Sequence, residues 1–183
     1  MDLVTLVAKV NHYKEILDNT KNYRADWPET VLPLLKKTLN HIIKETSMDA
    51  IIEVKDDMEN LTIAGLSLGN DYSGIAEKID DSDAKRQMIK SNGSLVFQQL
   101  FNGKILVMVL YPFIEGYGQP RPPKTLEILR PHELTEPFIV RYVETFMQEI
   151  IDWEDYDDDI PQQGQMPTIG FQSALLMEDD QDQ

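Results

Sequence analysis

The chain has 183 residues, no cysteine and a formal net charge of −15, from 32 acidic and 17 basic side chains. These figures fit one domain of ordinary size with a short extension. They exclude a disulfide scaffold, a thiolate metal site and a cysteine nucleophile, and they argue against a nucleic-acid partner, because phosphates bind to clustered positive charge.

Two amphipathic helices are predicted at the N-terminus. Apolar residues recur at three- and four-residue spacing between Leu3 and Leu17, which predicts a helix over roughly 2–19. A second helix carries an apolar face from Val31 to Ile43 and starts at a cap on Asp26 or on Thr30. We expect an early start with a kink or a tight turn near Pro33, and we expect the two helices to form an antiparallel pair.

No secretion signal is expected at this N-terminus. Asp2 stands where a signal peptide would carry Lys or Arg, and the apolar residues are spaced helically instead of forming one run. The longest apolar run, Ile105 to Tyr111, is too short to span a bilayer. We therefore expect a cytoplasmic protein that does not enter a membrane.

The next segments predict two strands and a short helix. Residues 50–54 and 61–68 have strand composition, with Gly65 indicating a bulge in the second strand. Residues 69–74 are rich in turn formers and predict a loop. A short polar helix is expected from Ser82 to about Lys90, where Asn92-Gly93 would end it.

A hairpin is the clearest local signal. Asn102-Gly103 separates the apolar runs 95–101 and 104–111, which predicts a two-residue type I′ turn. That turn would pair Phe101 with Lys104 and Gln99 with Leu106. The second strand is apolar on both faces, so we expect helices to cover it on both sides, or an oligomer interface to hide it.

A connection, a strand and a helix follow. Residues 115–123 are rich in glycine and proline and predict an irregular connection, in which Tyr117 and Arg121 are candidate partner-binding residues. Residues 124–130 alternate and predict a strand. Thr135 and Pro137 mark the start of a long amphipathic helix that reaches about Trp153.

The remaining residues, 154–183, form an acidic tail with an apolar island at 166–177. From Asp152 onward the chain has ten acids and no base, so most of the excess charge lies here. Five large apolar residues in such a segment predict docking to a partner or to a neighbouring subunit. These candidate partner-binding residues are Ile169, Phe171, Leu175, Leu176 and Met177.

The predicted fold class is α+β. An antiparallel sheet of about five strands would be flanked by two N-terminal helices and one long C-terminal helix, followed by the acidic tail. We expect a single domain over 1–153, divided into a helical pair (1–46), the sheet (49–130) and the C-terminal helix (135–153). The order of elements over roughly 40–153 resembles that of small-molecule sensing domains of the GAF and PAS kind.

No sequence motif indicates catalysis, a metal or a cofactor. Asp155, Asp157 and Asp159 have calcium-loop spacing, but Ile160 replaces the turn glycine and Met166 the bidentate glutamate. The three histidines lack metalloenzyme spacing, although His12 and His41 could approach each other across a helix pair. We therefore expect no catalytic residue, no metal and no cofactor.

The sequence favours a non-enzymatic protein-interaction or assembly protein. Its partner would be a protein, for which a basic surface would complement the acidic tail, and a homo-oligomer is a further possibility. The alternative is a small-molecule sensing domain, which would need an apolar cavity beside the 95–110 hairpin.

Overall fold

The computed structural model describes residues 3–57, 59–78 and 85–155. Its N-terminal part is helical. Helix α1 (Val4–Asp26) passes through a π-helical turn (Trp27–Val31) into helix α2 (Leu32–Thr46). The expected antiparallel pair is wrong, because the chain does not reverse. No glycine lies between the two helices, and proline is tolerated in a first helical turn, so Pro28 can open the π turn without breaking the helix.

Eight strands and a third helix follow in the part of the chain that the structure describes. Five strands form an antiparallel main sheet in the order β1-β2-β5-β6-β8, and three form a second sheet in the order β3-β4-β7. The predicted α+β class is confirmed, and the five strands of the main sheet correspond to the five predicted strands. The strands are β1 (Ile51–Lys55), β2 (Ile63–Ser67), β3 (Asn70–Lys78), β4 (Lys85–Ser91), β5 (Ser94–Gln99), β6 (Ile105–Leu110), β7 (Phe113–Ile114) and β8 (Lys124–Leu129), and a 3₁₀ turn (Pro131–Glu133) leads to α3 (Glu136–Glu154).

Strands β3 and β4 extend the ladder between β2 and β5. The antiparallel pairing continues without a change of register: Ser67 lies opposite Ser94, and three residues further along Asn70 lies opposite Ser91. Gly69 and Gly93 lie between these pairs, with φ of 75° and 92°, and their carbonyls accept backbone bonds across the ladder. The predicted loop at 69–74 and the predicted helix at 82–90 are both wrong where they are described, because ladder pairing outweighs local helix propensity.

The β5–β6 turn has three residues instead of two. Leu100 donates its N–H to the Lys104 carbonyl, and Gly103 donates to the Leu100 carbonyl. Gly103 has a φ of 76°, while Asn102 has no positive φ, so this turn is not type I′. The extra residue shifts the register by one, and Gln98, not Gln99, lies opposite Leu106.

The hydrophobic core lies between α2, α3 and one face of the main sheet, which we call the inner face. Phe97 of β5 meets Tyr142 of α3 edge-on at 6.1 Å between ring centroids. Apolar side chains of both helices and of four strands are fully or almost fully buried there. They include Leu35, Leu39, Ala64, Leu66, Leu95, Phe97, Ile105, Val107, Val109, Ile139, Val143, Phe146 and Ile150.

The opposite face of the main sheet, which we call the outer face, is not covered by any helix of the described chain. Along β6, Ile105, Val107 and Val109 are buried on the inner face. Leu106 and Met108 are only half-buried on the outer face, and Leu110 is exposed. Within the described residues, the expectation of helices on both sides is therefore wrong. The alternative of an oligomer interface remains a prediction.

Candidate association surface

Helix α1 is joined to the body near its C-terminal end. The Arg24 guanidinium donates to the Phe101 carbonyl at the tip of the β5–β6 turn, with its Nε 3.0 Å from the oxygen. Gly103 of the same turn lies against the backbone of Tyr23. No residue of α1 is buried. The helix thus projects from the body over most of its length of about 35 Å.

An apolar stripe runs along the projecting part of α1. We define the α1 stripe as Leu3, Leu6, Val7, Val10, Tyr13 and Leu17, whose side chains point to one side of a helix with 3.6 residues per turn. Each of these residues is between 43% and 60% exposed. A contiguous exposed apolar patch of this kind is typical of a protein-interaction site. The stripe is therefore the strongest candidate site in the described chain.

The edges of the α1 stripe are basic. Lys9 lies beside the stripe on one side, and Lys14 lies at the other side, in line with Val7. Lys21, which pairs with Asp18, and Arg24 follow toward the body. At that end a groove of about 660 Å³ separates α1 from the β5–β6 turn. Phe101, which is 74% exposed, forms part of this groove and extends the apolar surface of the stripe onto the turn.

A polar cluster ties α3 to the main sheet. The Tyr111 hydroxyl donates to Glu149 at 2.6 Å, and the Lys124 ammonium contacts the same carboxylate at 2.5 Å. The hydrogen bonds from Lys124 and Tyr111 lower the pKa of Glu149, whereas burial and the bond to Glu149 raise the pKa of Tyr111. Both shifts favour the hydrogen-bonded form of the pair, which holds α3 against the main sheet.

A second polar cluster links β8 to α3. The Tyr142 hydroxyl donates to Glu127 at 2.6 Å, and the Arg141 guanidinium donates to the same carboxylate at 2.9 Å. Burial, followed by the bond to Glu127, raises the pKa of Tyr142 to about 12. A phenol with such a pKa keeps its proton at neutral pH. This arrangement also indicates a structural role.

The candidate residues from the sequence are placed apart from one another. Tyr117 is half-buried in a tight turn, where its N–H donates to the Ile114 carbonyl. Arg121 is exposed, and its guanidinium lies 4.8 Å from the centroid of the Tyr111 ring. The structure attaches these two residues to different elements, and their partner-binding role remains a prediction. The tail residues Ile169, Phe171, Leu175, Leu176 and Met177 lie outside the described residues.

The histidines form no common site. His12 Nδ1 lies 3.4 Å from Glu15, and His41 Nδ1 lies 4.0 Å from Glu45, in each case on the residue's own helix. His12 and His41 do not approach each other, because α1 continues into α2 instead of folding back on it. Among the residues that the structure describes, no group of three or more His, Asp or Glu could hold a metal ion.

The exposure of α1 was missed from the sequence. Its apolar spacing was recognised, but the stripe was assigned to packing against the second helix. The absence of glycine between 20 and 30 could have indicated a continuous helix, but Asn22, Asp26 and Pro28 in the same segment also favour turns.

Comparisons of the chain with protein-family models, with curated proteins and with solved structures gave no match. Within 3–57, 59–78 and 85–155, no helix is long and apolar enough to cross a bilayer.

Proposed function

We propose that this protein is a non-enzymatic assembly protein whose projecting helix α1 mediates association with a second copy of the chain. The observation that carries the proposal is the exposure of the whole α1 stripe on a helix without a buried residue. An isolated amphipathic helix gains most of its stability from tertiary packing, so a projecting one is expected to have a partner.

The spacing of the stripe favours another helix as that partner. Leu3, Leu6, Val10, Tyr13 and Leu17 alternate steps of three and four residues, which is the a/d pattern of helices that pair side by side. A second α1 has the same length and the same spacing. Two copies can therefore bury both stripes against each other in a closed two-fold contact.

Flanking charge supports a second copy in the antiparallel orientation. In a parallel pair, Lys9 of one helix would lie opposite Lys14 of the other, and two like charges would repel. In an antiparallel pair, each lysine instead lies opposite an apolar residue, Ile16 or Val7. The lysine methylenes would then cover the apolar seam while the ammonium groups stay in water.

The sequence also predicts that the acidic tail docks to a partner or a neighbouring subunit. The pairing of α1 does not depend on that contact. The sensing alternative has weaker support, because the depression beside the hairpin lies on the outer face and measures about 250 Å³. Ligand sites are usually enclosed and measure roughly 300–1,000 Å³.

The test is the oligomeric state of the full chain with single acids placed on α1. Leu6→Glu puts a carboxylate in the middle of the stripe, whereas Ala8→Glu puts one on the opposite, polar side of the same helix. We expect the wild type and Ala8→Glu to sediment as dimers. Leu6→Glu should weaken dimerisation at least about tenfold, since burial of an unpaired charge is unfavourable.

Circular dichroism of both variants controls for the fold. The proposal is wrong if the wild type remains monomeric up to high micromolar concentration, or if the two variants change the sedimentation equally.

A further inference from the structure

We propose that the outer face of the main sheet is the docking site of the chain's own C-terminal segment 166–177. The outer face of the main sheet is apolar and uncovered whether or not α1 pairs with a second copy. The tail would lie on the body of its own chain and would not contact a second chain.

The outer face is apolar at its centre. Ile63, Val96, Met108 and Leu110 line a depression of about 250 Å³, with Glu53 and Lys55 at its β1 border. Gly65 lies among them in β2 and contributes no side chain, which deepens the face at that point. Leu106 and Ile128 continue the apolar surface toward β8, and Ile128 is 55% exposed. A sheet face of this composition is expected to be covered.

The chain leaves the described structure at the Gly93 end of β5, on the inner side of the main sheet that α3 covers. Near the end of α3, the Ile150 side chain packs directly against Gly93. Gly93 immediately precedes Ser94, which lines the depression and pairs with Leu110. One turn later Glu154 forms an ion pair with Lys90, and Trp153 lies under the same ammonium group at 5.3 Å. The tail therefore begins at the end of the sheet where the depression lies.

The length of the tail is sufficient. Residue 166 lies eleven positions after Asp155, and an extended chain covers at most about 3.3–3.6 Å per residue. The segment before the island can thus span up to about 40 Å. A six-residue strand such as β5 is about 20 Å long. Every part of the outer face is within reach of residues 166–177.

The chemistry of the segment matches the face. Residues 160–177 contain no charged side chain, and Ile169, Phe171, Leu175, Leu176 and Met177 supply apolar surface. Lys90 and Lys124 are already paired with Glu154 and Glu149 of α3, so these cations do not mark the outer face. The match between the segment and the outer face is therefore one of apolar surface.

Disulfide trapping in the full-length chain tests the inference. Because the natural chain has no cysteine, a pair of introduced cysteines reports one contact only. Gln98→Cys lies on the outer face, and Ser173→Cys lies in the segment. The matched control pairs Ser173→Cys with Asn40→Cys, which is exposed on α2, on the helix-covered side of the sheet. An undocked tail is long enough to reach either position.

We expect the 98–173 disulfide to form at least about tenfold faster than the 40–173 disulfide under mild oxidation, in monomeric chains at low concentration. Adding Phe171→Asp to both pairs should reduce the ratio of the two rates toward one. Equal rates for the two pairs would overturn the inference, and so would a ratio that Phe171→Asp leaves unchanged. Disulfides formed predominantly between chains would assign the face to a neighbouring copy and would also overturn it.

The ratio of the two disulfide rates tests tail docking independently of the pairing of α1. Trapping within one chain can be repeated in the Leu6→Glu background, where dimerisation is expected to be lost. A high ratio there supports tail docking whatever the oligomeric state, and a ratio of one excludes it even if the wild-type protein is a dimer.

Discussion

Gly103 of the β5–β6 turn packs directly against the backbone of helix α1 at Tyr23 and Arg24. Its φ is 76°, and a Cβ placed on it would lie 2.6 Å from the Tyr23 Cβ and 2.8 Å from the Arg24 nitrogen. Position 103 therefore requires both a left-handed backbone and the absence of a side chain, and glycine satisfies both. This contact, together with the Arg24 bond to Phe101, sets the direction in which α1 leaves the body.

Gly103→Ala should destabilise the protein by about 3 kcal/mol, because the left-handed conformation costs roughly 1–2 kcal/mol and the clash with α1 adds to it. Gly116→Ala is the matched control, since Gly116 has a φ of 77° and no atom within 4 Å of its Cβ position. That variant should lose only about 1 kcal/mol. Urea unfolding measures both, and equal losses would show that α1 does not pack against the turn.

Tyr142 gives a prediction at high pH. Its pKa is raised to about 12 by burial and by the bond to Glu127, while a phenol in an unfolded chain titrates near 10. The stabilisation is therefore complete below about pH 10 and is lost as the pH rises toward 12. The ultraviolet absorbance of phenolate should contain a late part to which Tyr142 and Tyr111 both contribute, and Tyr142→Phe should remove the component near pH 12. A titration unchanged by this substitution would contradict the assignment.

At the scale of elements, the main sheet could be predicted because its strands have strong local signals. Its five strands carry β-branched runs or clear alternation, and a turn sequence or a glycine-rich connection separates them. The helix at 136–154 was equally clear, since Thr135 precedes it and Pro137 lies in its first turn. In these elements, the conformation that the local sequence favours is also the one that tertiary packing stabilises.

Strand β4 could not be predicted, because its sequence is polar and its partner determines its conformation. Lys85 to Ser91 has no apolar face, and it becomes a strand by pairing with β3 and β7. The predicted register of β5 and β6 was wrong for a related reason. Asn-Gly permits more than one turn, and the contact of Gly103 with α1, which is remote in sequence, is compatible with the three-residue form.

The candidate site was predicted only in part. The apolar spacing from Leu3 to Leu17 correctly predicted the helix and its stripe, but spacing alone does not say what covers a stripe. That depends on whether the chain reverses after the helix. Here Trp27 and Val31 are buried in the π turn, and they anchor a continuous helix to the core. The stripe consequently projects from the body.

At the scale of the whole molecule, charge constrains how two copies can meet. Each chain carries −15, of which −10 lies from Asp152 onward, so two chains placed with these regions at the same end repel each other. The body lies at the C-terminal end of α1. A parallel pair would bring both bodies to the same end, whereas an antiparallel pair holds them at opposite ends of a helix about 35 Å long, several Debye lengths apart at physiological salt.

Antiparallel pairing makes a definite prediction for cysteine trapping. Leu6 of one α1 would meet Leu17 of the other, so a mixture of Leu6→Cys and Leu17→Cys chains should form mixed disulfides, whereas each variant alone should form few. Labelling one variant with nitrogen-15 distinguishes mixed from like pairs by mass, and Ala8→Cys on the polar side serves as the control. In a parallel pair each residue would meet its own copy, so efficient trapping of like chains would establish that orientation and show that the stripe outweighs the repulsion between the bodies.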